Sequence, residues 1–229
     1  MKTIGIIGGL GPETTSEFYL EIIFSSYEKN KLNRPPMLIW NVPLPYQIEE
    51  DLIVRSVGEE RYVPYLIEAA QRLVKGGADF IVMPCNSLHI FIDVIRKAVH
   101  VPVLSILEET AEYLKQQQIH EVGIIATSTT LKAKLYEQWL AKAGIQQIAP
   151  DDFQQAKIGK VINNLVLSRH NNNDREEIQD IIESYAQNGV RTVILACTDL
   201  QLLIPQHDSV KIYDTMKIYA EAAVNYLLK

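Results

Sequence analysis

Cys85 and Cys197 are the two cysteines of this 229-residue sequence, and both sit in the same local pattern. Gly77-Ala78-Asp79-Phe80-Ile81-Val82-Met83-Pro84-Cys85-Asn86-Ser87 aligns with Gly189-Val190-Arg191-Thr192-Val193-Ile194-Leu195-Ala196-Cys197-Thr198-Asp199. Each segment is a glycine, an apolar β-branched run, a cysteine and two polar residues. A thiol titrates near 8.5, so modest stabilisation leaves one thiolate and one thiol at neutral pH. Such a pair suits inversion of a stereocentre, where a base takes a proton from one face and an acid delivers one to the other. At the Cα of an amino acid the proton is a very weak acid. The site must then offer preorganised donors to the developing enolate-like carboxylate. Hydroxyl and amide groups cluster where they are needed: Asn86 and Ser87, Thr198, and Thr127-Ser128-Thr129-Thr130. Taken singly, each hydroxyl also reads as a helix cap.

The elements that must hold these groups alternate along the chain. Short apolar runs predict strands over Thr3–Gly8, Met37–Val42, Asp79–Pro84, Val101–Ile106, Glu121–Ala126, Thr192–Ala196 and Val210–Tyr213, with a weaker one near Gly144–Ile148. Helical spacing places Phe18, Tyr19, Ile22 and Ile23 on one face after Pro12, and Leu66, Ala69, Ala70, Leu73 and Val74 on another. The alternation predicts α/β architecture with doubly wound parallel sheets. Two further echoes pair Ile4-Gly5-Ile6-Ile7 with Val122-Gly123-Ile124-Ile125, and Val101–Ile106 with Val210–Thr215. With the cysteine segments, they fall in the same order in both halves and predict a duplicated fold. Both cysteines then lie at strand C-termini, where open α/β sheets bind ligands. Helices opening after them would favour thiolate.

A net charge of −6 argues against a surface that tracks nucleic-acid phosphates. No apolar run approaches a membrane span, and the N-terminal residues lack a signal-peptide core, so a soluble cytoplasmic protein is expected. In that compartment two cysteines are expected unbridged. Nothing has the His/Cys/Asp spacing of a metal site. Gly5-Ile6-Ile7-Gly8-Gly9-Leu10-Gly11 lacks dinucleotide-binding glycine spacing, and Trp40-Asn41-Val42 offers no acidic residue for a ribose. The loop, Gly11 included, reads instead as backbone N–H groups approaching a small anion.

Together Gly8-Gly9-Leu10-Gly11-Pro12-Glu13-Thr14-Thr15, Met83-Pro84-Cys85-Asn86-Ser87-Leu88-His89, Val122–Thr130 and Ala196-Cys197-Thr198-Asp199-Leu200 resemble the aspartate/glutamate racemase family, closest to its aspartate racemase branch. The resemblance runs from residue 3 to the C-terminal helix. It implies a racemase independent of pyridoxal phosphate (PLP), needing no cofactor, that interconverts L- and D-amino acids. It further implies two pseudo-twofold α/β domains with the active site in the cleft between them, and a homodimer. The C-terminal segment would return to the first domain, giving domains 1–100 plus 207–229 and 101–206. By position, Cys85 and Cys197 match the catalytic pair. Asn86, Thr127 and Thr198 match substrate-holding positions, and Thr130 is a weaker match. Ser87 and Asp199 stand where the family carries threonine and glutamate, keeping the hydroxyl and the carboxylate.

His89, four residues after Cys85, could tune that thiol from one helical turn away, or serve structure alone. Asp199 could orient its neighbouring thiol or start the following helix. Glu49-Glu50-Asp51 reads as a solvated face, and Asn171-Asn172-Asn173-Asp174 as a loop ahead of a helix near Arg175. The family's arginine for a side-chain carboxylate is missing from Asn41-Val42-Pro43-Leu44-Pro45-Tyr46-Gln47-Ile48, and its lysine from Val161–Arg169. An acidic substrate would need Arg55, Arg169 or Lys160, so weak discrimination for aspartate is expected. Two alternatives stay open: a sibling isomerase or decarboxylase acting on another small carboxylate, and a catalytically silent amino-acid-binding relative.

Overall fold

Strand β1 (Ile4–Gly8) is buried along its whole length, as a continuous apolar run covered on both faces must be. In the computed structural model, which describes residues 1–55, 57–203 and 205–229 (residues 53–55 by backbone alone), it is the middle strand of a parallel sheet. The half-exposed β2 (Met37–Asn41) lies on one side and β3 (Phe80–Val82) on the other. Helices α1 (Pro12–Lys29), α2 (Tyr46–Arg55), α3 (Val63–Lys75) and α4 (Ile92–Ala98) connect and follow these strands, and α5 (Ile106–Gln116) comes next. A second parallel sheet has the order β5-β4-β6-β7, from β4 (Glu121–Ala126), β5 (Gln146–Ile148), β6 (Thr192–Ala196) and β7 (Lys211–Asp214). Its helices are α6 (Ser128–Lys132), α7 (Glu137–Lys142), α8 (Asp152–Val166) and α9 (Asn172–Gln187). Last comes α10 (Thr215–Leu228). The chain forms two compact units, Met1–Glu109 with Met216–Lys229, and Thr110–Thr215.

The two units repeat one another in strand order and in register. Gly5 pairs with Ile81 in the first, and Gly123 with Val193 in the second, the partners the aligned sequences predict. Each glycine lies under the equivalent helix position. A Cβ on Gly5 would stand 2.8 Å from Ala78 Cβ and 3.2 Å from Leu73 Cβ, and one on Gly123 would stand 3.1 Å from the Tyr185 ring. Leu73 and Tyr185 each precede the aligned glycine, Gly77 or Gly189, by four residues. Close helix-on-strand approach therefore explains both glycines.

The expected strand Val101–Ile106 contracts to a single parallel bridge, Ile81 to Val103, equivalent to Val193 against Ile212 in the second unit. Ile81 N donates to Pro102 O at 2.9 Å and Leu104 N to Ile81 O at 3.0 Å. Pro102 has no N–H to extend the ladder, and Ile106 already opens α5. This bridge keeps residues 101–109 in the first unit. Pairing of β7 with β6 keeps residues up to 215 in the second, so each boundary falls later than the sequence places it. Asp51 is a second correction. It is 9% exposed, not solvated, and Arg61 Nη2 lies 2.7 Å from its Oδ2. Likewise α9 begins at Asn172, because Asn171 and Asp174 form a capping box.

Candidate active site

In the first unit the polypeptide leaves β3 through buried Met83 and Pro84, and Cys85 N turns back to Met83 O at 2.8 Å. The half-buried Cys85 Sγ lies 3.7 Å from Ser87 Oγ. A short 3₁₀ turn, Ser87–Phe91, follows in place of a long helix. Asn86 is 2% exposed. On the neighbouring strand end, the glycine loop is tied to α1. Gly9 N donates to Thr15 Oγ1, which donates to Gly11 O, both at 2.9 Å. Gly9 has φ +82°, a conformation suited to glycine.

His89 bonds the loop and not the thiol. Its Nε2 accepts from Ile106 N at 3.1 Å, which leaves Nδ1 as the protonated nitrogen donating to Cys85 O at 2.7 Å. Complete burial pushes its pKa down to about 4, with the Arg96 charge adding to the effect, so the ring is a neutral clamp. Unfolded, it titrates near 6.5, and between these values the unfolded chain binds more protons. Stability is therefore complete above about pH 6.5 and lost as pH falls towards 4, by on the order of 3 kcal/mol. We expect His89→Gln to flatten that part of the stability profile. Urea midpoints measured at pH 7 and pH 4.5 check this, and an unchanged acid loss in the variant refutes it.

Two tyrosines that the sequence does not single out complete this half. Tyr219 of α10 accepts from Met83 N at 3.2 Å and donates to Leu104 O at 2.8 Å, clamping the strand end that leads to Cys85. Tyr62, 4% exposed, shares an apolar cluster with Cys85. Burial raises its phenol pKa, and the nearby Cys85 raises it further.

In the second unit Cys197 follows β6 directly and is 6% exposed. Its Sγ donates to Asp199 Oδ2 at 3.6 Å, and the 3₁₀ turn Thr198–Leu203 follows. Thr198 is buried. At the end of adjacent β4, Thr127 caps α6 by accepting from Thr130 N at 3.2 Å, and the two hydroxyls lie 3.0 Å apart. Each unit thus sets a cysteine turn beside the loop that follows its neighbouring strand. Ser87 and Asp199 occupy equivalent positions, so one thiol faces a hydroxyl and the other a carboxylate.

Arg169 and Lys160 are exposed, and the Arg55 side chain lies outside the described residues. Among the described residues no group of three or more His, Cys, Asp or Glu could hold a metal, and no helix is long and apolar enough to cross a membrane.

Two parallel-sheet α/β units, each presenting a cysteine just beyond the C-terminal end of a strand, define the class of protein. Residues 7–223 match the Asp/Glu/hydantoin racemase family, and the chain belongs to it. It is 29% identical to the broad-specificity amino-acid racemase RacX of Bacillus subtilis, over 98% of each chain. A structure of an aspartate racemase homologue from Pyrococcus horikoshii shares 30% identity, covers 100% of both chains and superposes with a TM-score of 0.82. Picrophilus torridus aspartate racemase has the same fold, with a TM-score of 0.82 at 22% identity over 100% of this chain and 95% of that one.

Proposed function

We propose that this chain racemises amino acids (aspartate, glutamate or a related one) without PLP or metal, using Cys85 and Cys197 as its acid–base pair. The observation that carries the reading is the register-matched repeat, which sets two cysteines at equivalent strand ends and gives them unlike partners. Asp199 is an acceptor beside Cys197 and favours its protonated form. Ser87 can donate to Cys85 and favours its thiolate. In one direction Cys85 thiolate takes the Cα proton while Cys197 thiol gives its proton to the opposite face. The turnover ends with Cys85 as thiol and Cys197 as thiolate, and the opposite enantiomer restores the pair. Backbone N–H groups near Gly11, with Asn86, Ser87, Thr127, Thr130 and Thr198, supply donors to the substrate's carboxylate and partners for its ammonium. The likeness to a racemase described as broad in specificity, and the missing arginine and lysine, support weak preference for aspartate.

The working form in this reading is a cytoplasmic homodimer. Leu20, Phe24 and Tyr27, exposed on one face of α1, and exposed Ile39 on β2 are apolar surface such an assembly would cover. The test is deuterium uptake at Cα from a panel of L- and D-amino acids, in chelator-treated enzyme without PLP. We expect uptake with inversion, and inactivation by thiol alkylation that substrate slows. Activity that appears only on adding PLP or a divalent ion overturns the reading.

A further inference from the structure

The segment that leads into α5 has less backbone pairing to hold it than its counterpart in the second unit. There β7 pairs with β6 over four residues, Lys211 to Asp214. In the first unit Val103 makes a single bridge to Ile81, and Leu104 and Ser105 run on to α5 outside any strand. Yet two groups of this segment hold the turn that bears Cys85. Leu104 O does so through Tyr219, and Ile106 N through His89.

Arg96, in the last turn of α4, stands in for the missing ladder. Its Nε donates to Val103 O at 3.1 Å, while Nη1 and Nη2 donate to Glu108 Oε1 and Oε2 at 2.8 and 2.9 Å. Exposed Asp93 Oδ1 lies further from Nη1, at 4.0 Å. One planar fork thus grips the segment on both sides of Leu104 and Ile106, in directions that the guanidinium plane fixes. The Arg96 and Glu108 side chains are 33% and 29% exposed, and an ion pair in such contact with water adds little to stability. Its geometry is what it offers.

We infer that Arg96 is a positioning residue for Cys85. By fixing residues 103–108 it aims the Ile106 N–H at His89 and the Leu104 carbonyl at Tyr219, and these two side chains hold the cysteine turn. As a part of catalysis this rests on the racemase reading above; as a constraint on the thiol it rests on the bonds alone. Arg96 acts through the turn and not on the substrate, so its loss should cost rate more than affinity.

The test compares Arg96→Gln, Arg96→Lys and the isosteric Glu108→Gln with Ile95→Val, a fully buried neighbour on α4 whose change costs packing alone. Three quantities are read for each: Tm, kcat and KM by deuterium uptake, and the rates at which iodoacetamide labels Cys85 and Cys197, resolved as separate peptides by mass spectrometry. The Arg96 and Glu108 variants should lower kcat by about 10–100-fold with KM little changed, the scale that a displacement of about 1 Å sets for a reacting group. Cys85 should label severalfold faster than in wild type, and Cys197 at the wild-type rate. Arg96→Lys should behave like Arg96→Gln, because an ammonium keeps the charge but cannot span Val103 O and both Glu108 oxygens. Ile95→Val should lower Tm while leaving kcat and both labelling rates in place. The inference is overturned if the Arg96 and Glu108 variants lose Tm alone, label both cysteines faster, or are matched by Ile95→Val. Full activity in Arg96→Lys overturns it too. Wild type that exchanges no amino acid, with Cys85 labelling still governed by Arg96, removes the racemase reading and keeps Arg96 as the residue that sets this thiol.

Discussion

Cys85→Ala and Cys197→Ala are each expected to lower racemisation by about 10²–10⁴-fold or more, the usual weight of a positioned proton donor or acceptor. Each substitution strips one face of Cα of its proton partner. Inversion needs both faces, but abstraction and return on a single face need only one. Each variant should therefore still exchange the α-proton of one enantiomer with solvent, without inverting it, and the two variants should choose opposite enantiomers. The measurement is deuterium uptake from separate L- and D-substrates, followed by chiral analysis of product. Either alanine variant racemising at near wild-type rate would falsify the two-thiol assignment. Cys197 is 6% exposed, so thermal melts must accompany the kinetics to separate lost chemistry from lost packing.

The second large effect concerns Ser87 and Asp199, at 3.7 Å and 3.6 Å from their thiols. Active enzyme needs one thiolate and one thiol, so its rate should rise with pH as the first thiol ionises and fall as the second does. Asp199→Asn removes the charge that opposes ionisation of Cys197. We expect the alkaline limb of kcat/KM to move down by about one pH unit, roughly 1.4 kcal/mol at the thiol. Ser87→Ala removes a donor to Cys85 thiolate, and the acid limb should move up. Because enantiomers are equal in free energy, kcat/KM for the L and D forms must stay equal in every variant. The asymmetry therefore shows in the pH limbs and in the separate kcat and KM values, never in that ratio. Limbs that stay in place in both variants would show that neither neighbour biases its thiol.

Much of this arrangement was legible in the sequence because it rests on local patterns. A continuous apolar run identifies a buried strand, and the repeated glycine–strand–cysteine segments foretell the register that Gly5–Ile81 and Gly123–Val193 adopt. Val101–Ile106 was over-read, since composition does not show that Pro102 breaks the ladder or that His89 claims the N–H of Ile106. Asp51 was under-read, because its burial goes with an ion pair to Arg61, a partner that no local pattern announces. For His89, spacing gives nearness to Cys85, but only the bond to Ile106 tells which nitrogen carries the proton and that the carbonyl is its target. Tyr219 stands far along the chain from the strand it clamps, beyond any local signal.

The clamp by Tyr219 also orders the assembly of the protein in time. On the ribosome Thr110–Thr215 emerges before Met216–Lys229, so the second unit has its complete sequence while the first still lacks its last helix. The turn bearing Cys197 can settle early. The turn bearing Cys85 must wait, with Met83 N and Leu104 O lacking the phenol that joins them in the native state. Nascent chains stalled ahead of α10 should thus yield a protease-resistant fragment from the second unit alone, and a hydrophobic sheet awaiting its cover is the natural client of a chaperone.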